Sequence, residues 1–118
     1  MKPRGSNEAL FWLIFSGGGV VSAMLIPSLI ASTILGGFGI EEAQVAFSYD
    51  RIYSLLSNWI VRIVVLAVIG ASLMHAAHRI RHTIHDTRIP IPDPIAATLC
   101  YLSALGASGL AALLLAGL

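Results

Sequence analysis

Between Ala9 and Ile40 the chain carries no Asp, Glu, Lys or Arg, and a run of that length constrains the solvent before anything else about the fold. A helix that crosses the hydrocarbon core needs about 20 apolar residues. Two further runs meet that need: one lies between Arg51 and Arg79, interrupted by Arg62 and His75, and the other follows Asp93 with no charge up to Leu118. A lone strand in any of them would leave its backbone hydrogen bonds unmet in lipid, so a single chain of 118 residues spans with helices. Only 11% of the residues are charged, against about 25% in soluble domains. A net charge of +1 offers no basic surplus for phosphates, which excludes nucleic-acid binding. High hydrophobicity with so little net charge also excludes disorder. The expected fold is an all-α membrane protein, one domain over residues 1–118, with three transmembrane helices at about 10–35, 50–86 and 94–117.

The first apolar run extends far past the h-region of a cleaved signal peptide, so the helix is read as retained. Gly17, Gly18 and Gly19 allow close approach of a neighbouring backbone, and Pro27 is expected to free the Ala23 carbonyl and bend the helix. At 1.5 Å per residue, a helix over 50–86 spans about 55 Å and projects from a core of about 30 Å. Asp93 and Pro94 stand where a cap and a first helical residue belong. In the third helix Ser103, Ala107 and Ala111, and likewise Ala104, Ser108 and Ala112, recur every four residues, which suits helix contact in lipid. Three prolines within Ile89–Pro94 read as an extended connector. Cys100, without a second cysteine, reads as a small packing residue.

Lys2 and Arg4 precede the first helix, and Arg79, Arg81 and Arg88 surround the connector, while the loop after helix one holds Glu41, Glu42, Asp50 and Arg51. The positive-inside rule then predicts a cytoplasmic N-terminus and a periplasmic C-terminus, with Tyr53 and Trp59 as belt residues at the outer boundary. Arg62, about one turn inside, reads as a snorkelling anchor or as a partner for a polar group on another protein chain.

All four histidines, His75, His78, His82 and His85, fall in one eleven-residue window at spacings of three, four and three, which places them on one helix face. Four uses fit that pattern. A metal site would have to tolerate Arg79 and Arg81 beside it without any Cys or Glu. Haem ligation would need a second axial histidine from a partner, since two on one short face cannot reach both sides of a macrocycle. A solvated, snorkelling helix end asks for no ligand at all. The fourth use is proton exchange with a quinol: an imidazole titrates near neutral pH, and a guanidinium can hold a ring oxygen by directed hydrogen bonds. Trp12, about one turn inside helix one, lies at the same leaflet as His78 and Arg79 in an antiparallel arrangement. It is either an interface anchor or an indole donor to a quinone oxygen.

Phe11-Trp12 before Gly17–Gly19, then Ser48-Tyr49-Asp50-Arg51, Arg62, and the run from His78 through Arg79, Ile80, Arg81, His82, Thr83, Ile84 and His85 to Asp86 together resemble the D subunit of bacterial quinol:fumarate reductase, over nearly the whole chain. Arg81 stands where enterobacterial members carry histidine, a departure that bears on the neighbours of His82. The resemblance implies a non-catalytic anchor in the bacterial inner membrane. Such an anchor pairs with the membrane C subunit, and the two hold the flavoprotein (A) and the iron–sulfur protein (B) of fumarate reductase at the cytoplasmic face. It further implies menaquinone bound jointly with the partners and without haem, FAD and iron–sulfur clusters in the partners, and Trp12, His78, Arg79 and His82 beside the quinone. The rival expectations are a haem-b-bearing anchor of the succinate dehydrogenase type and a small homo-oligomeric structural or transport protein.

Overall fold

The computed structural model describes residues 6–118, leaving aside the side chains of residues 6–8 and of Phe11. Lys2 and Arg4, used above for orientation, lie outside the described residues. The order is α1 (Ser6–Gly37), α2 (Glu41–Ala46), α3 (Tyr49–Leu56), α4 (Trp59–Asp86) and α5 (Asp93–Ala116), with no strand among the described residues. Three helices, α1, α4 and α5, are long and apolar enough to cross a membrane.

Helix α1 runs through Pro27 without interruption, and Ser22, Ser28 and Thr33 each return a hydroxyl hydrogen to the carbonyl four residues earlier. It ends in a Schellman motif, in which Ile40 N–H donates to Leu35 O at 3.1 Å and Gly39 N–H donates to Gly36 O at 3.1 Å. Gly39 holds φ at +84°, a left-handed value that any side chain would strain. Gln44 of α2 then caps the Gly36 carbonyl at 3.0 Å.

One helix over 50–86 is not what forms. The chain breaks at Ser57 and Asn58, where the Asn58 side chain accepts the Ile60 N–H at 2.9 Å and so starts α4 afresh at Trp59. An asparagine that bonds a backbone donor two residues ahead makes a better N-cap than an interior helical residue. The 28 residues of α4 still span about 42 Å, longer than the hydrocarbon core, so the projecting end survives the correction. At the third helix Asp93 is the first helical residue and Pro92 the cap. The Asp93 carboxylate is engaged elsewhere, by both Nε and Nη2 of Arg81 at 3.0 and 2.7 Å.

Helix α4 is central, with α1 and α5 packed on it. Gly18 and Gly19 set the first contact. A Cβ on Gly18 would lie 2.8 Å from the Ala71 carbonyl carbon, and one on Gly19 would run into the His75 ring. Gly17, expected to share that duty, has nothing within 4 Å of a Cβ. The second contact closes over Ala77 and Ala104, both buried. An open apolar groove of about 450 Å³ follows the α4–α5 seam, lined among others by Ala76, Ile80, Leu99, Cys100 and Ser103.

Arg62 departs from both expectations. It is half-buried, and its Nε donates to Leu56 O while Nη1 donates to Leu115 O at 3.1 Å. The last carbonyls of a helix have no partner of their own and form the negative end of its dipole, which a guanidinium complements. Neither headgroups nor another protein chain are needed to explain this side chain.

Candidate functional site

The start of α1, the end of α4 and the start of α5 meet at one end of the bundle, where every histidine lies. Helical spacing places the four rings on one side, but the neighbours divide their work.

His75 is committed to packing. Its Nδ1–H donates to the Phe15 carbonyl at 2.9 Å, since a carbonyl can only accept. The ring stacks on Phe15 with centroids 4.6 Å apart and fills the slot left by Gly19. His85, at the far tip, lies 3.9 Å from Asp86, both largely exposed. Among the described residues no three His, Cys, Asp or Glu side chains converge as a metal set.

His78 is the junction. Its ring lies 4.4 Å from Phe15 and 4.4 Å from His82, centroid to centroid, and Nδ1 is 2.9 Å from the Tyr101 hydroxyl on α5. Phe15 in turn meets Trp12 edge to face at 6.1 Å. Trp12 and His78 therefore touch the same phenyl ring from different helices, and the lateral alignment expected of them is present. Trp12 remains 62% exposed, leaving its indole open on the outer side. His82 is exposed and adjoins His78. Arg79 is also exposed and has no hydrogen bond or ion pair from its guanidinium among the described residues. Two steps of about 100° along the helix separate it from Arg81, which pairs with Asp93, so its side chain leaves α4 on the side opposite α5.

Two members of this cluster escape a sequence reading. Phe15 is one apolar residue among many, although its position three after Trp12 puts both on one face. Tyr101 stands eight residues after the start of α5, and His78 eight before the end of α4. Antiparallel helices joined by a short connector bring such positions to equal depth, so this signal could have been found. Arg81 is tied to Asp93 and lies beside Tyr101, so at the position where the family departure falls the side chain turns to α5.

A family model described as the D subunit of fumarate reductase matches residues 2–116. The chain is similar to the fumarate reductase D subunit of Photobacterium profundum, 30% identical over 94% of this chain and 92% of that protein. It is also similar to that of Mannheimia succiniciproducens, 36% identical over 78% and 76%, and to that of Haemophilus ducreyi, 34% identical over 76% and 75%. A match over nearly its whole length, on a fold with three helices of membrane-spanning length, means that the chain belongs to the family of fumarate reductase D subunits, membrane components of the complex and not its catalytic component.

Proposed function

We propose that this chain and a second membrane protein, the C subunit, anchor the flavoprotein and iron–sulfur subunits of fumarate reductase at the cytoplasmic face of the bacterial inner membrane, and that this chain supplies one wall of a menaquinol site. The observation that carries the reading is the cluster of Trp12, Phe15 and His78 rings at the basic end of the bundle. Apolar aromatic surface, with rings inclined at 84° and 60° to one another, near an indole donor, a guanidinium and an imidazole, suits one wall of a pocket for a ring that carries two oxygens. Arg79, Arg81 and Arg88 at that end, against Glu41, Glu42 and Asp50 with Arg51 at the other, support a cytoplasmic N-terminus.

Menaquinol, when bound, supplies two electrons and two protons, the electrons passing to the clusters and flavin of the partner subunits to reduce fumarate to succinate. This chain does the binding and the proton work. The Trp12 indole N–H donates toward a ring oxygen. The Arg79 guanidinium, which can only donate, orients the ring through a directed hydrogen bond. His78 accepts a proton, and exposed His82 beside it leads to water. The open side of Trp12 leaves room for the iron–sulfur protein and the second membrane protein to complete the pocket.

Arg79→Leu tests the reading in the assembled complex. Reduced methyl viologen delivers electrons without a quinone, so its fumarate-reducing activity measures assembly, and it is expected to stay unchanged. Quinol-driven fumarate reduction is expected to fall at least about tenfold, the loss of one charged hydrogen bond of about 1.5–3 kcal/mol. Normal quinol turnover removes Arg79 from the site, and loss of the soluble subunits from the membrane assigns it to docking.

A further inference from the structure

We infer that Tyr101 is a positioning residue for His78: by holding Nδ1 from the neighbouring helix it leaves Nε2 as the nitrogen that takes the quinol proton. The inference rests on the proposed quinol site.

Of the four imidazoles, His78 alone is bound from α5 among the described residues, at 2.9 Å between Nδ1 and the hydroxyl. The hydroxyl does not wander. Tyr101 is half-buried, sits two turns into α5, and α5 is fastened at its start by the two-pronged bond between Arg81 and Asp93. The Arg81 guanidinium lies beside the same hydroxyl. The Tyr101 oxygen carries two lone pairs, so it can face the guanidinium with one and accept the Nδ1–H of His78 with the other, its own hydroxyl hydrogen turned away from the imidazole; that direction is part of the inference.

That choice selects the tautomer. With Nδ1 protonated and donating to Tyr101, the lone pair of neutral His78 stands on Nε2, which is where a proton acceptor is needed. Nε2 takes an O–H proton from the quinol and passes it to water through His82, 4.4 Å away ring to ring, then repeats this for the second proton. The electron pair leaves toward the partner's iron–sulfur clusters. In the imidazolium so formed, Nδ1–H still donates to Tyr101, and a hydrogen bond from a charged donor is stronger than one from a neutral donor. The charged and titratable groups around His78 are His75, Arg79, Arg81 and His82 on its own helix and Tyr101 and Asp93 on α5. Helix α1 contributes none between Ala9 and Gly37.

The test is Tyr101→Phe in the assembled complex, which keeps the ring and removes the oxygen. Quinol-driven rates are normalised to viologen-driven rates, so that a change in assembly drops out. Activity at neutral pH is expected to fall about tenfold, part of the ~10²–10⁴ that a positioned acid or base contributes. The acid limb of kcat/KM against pH is expected to move to lower pH, because the variant no longer favours the imidazolium. A role in packing alone would lower the rate equally at every pH and leave the limb in place. That result, or an unchanged rate, overturns the inference. His78→Ala separates the two claims: if it leaves quinol oxidation intact, the proposed site fails. If it abolishes oxidation while Tyr101→Phe matches the parent in rate and limb, only the role of Tyr101 fails.

Discussion

A methyl group at position 18 would press into the Ala71 carbonyl, while one at position 17 would meet nothing within 4 Å. Gly18→Ala must therefore push α1 off α4, and overpacking of this kind costs about 1–3 kcal/mol. Gly17→Ala should stay within about 0.5 kcal/mol of the parent. Thermal midpoints of the detergent-solubilised complex measure both, and equal midpoints would remove the close contact from the account. The glycine trio is readable in the sequence as a place of near approach, but its working pair depends on how α1 is rotated about its axis. A helix apolar on every side carries no amphipathic signal for that rotation. The same physics governs the site residues. Trp12, His78, Arg79 and His82 stand out because polar groups are scarce in lipid-spanning segments. Phe15 is hidden for the opposite reason, being one more large apolar ring in a chain made of them.

The boundary between α3 and α4 shows how a short polar pair can outrank a long apolar pattern. Helical periodicity continues across Ser57-Asn58, yet the Asn58 side chain takes the Ile60 N–H and restarts the helix. Asn58→Ala should cost about 1 kcal/mol at this junction and loosen α3, so trypsin should cleave after Arg51 faster than in the parent. Unchanged cleavage would mean that Arg62, through Leu56 O, holds α3 alone. The connector is likewise readable as a prolyl turn, but its details are not. Arg88 takes a left-handed φ of 53° without being glycine, and the pairing of Arg81 with Asp93 unites two charges that the sequence offers only as neighbours of a loop. That pair is partly exposed, so Asp93→Asn should lower stability slightly and the difference should fade at high salt. A difference that persisted in about 1 M salt would point to a water-excluded contact instead.

Across the whole molecule the longest dimension is 57 Å, about twice the hydrocarbon thickness of about 30 Å, so both ends stand clear of the core. Orientation can be read by placing cysteines at Ser57 and Thr87 in a Cys100→Ala background and labelling intact cells with an impermeant maleimide. Position 57 should react from outside, and position 87 only after permeabilisation; the reverse pattern would turn the proposed topology over. Among the described residues the buried apolar side chains are Ala77, Ala96 and Ala104, so the span count is legible from apolar runs while the cohesion of the bundle is not. Long apolar side chains point outward to lipid or to other proteins. The two fasteners of α5 have a joint consequence. Arg81 grips the first residue of that helix and Arg62 grips the Leu115 carbonyl near its last. Sliding α5 along its neighbour by one helical turn, about 5.4 Å, would have to break both grips at once. The rod is thus indexed against α4 like a rule clamped at either edge, and the depth of every group it carries is set by two arginines of α4.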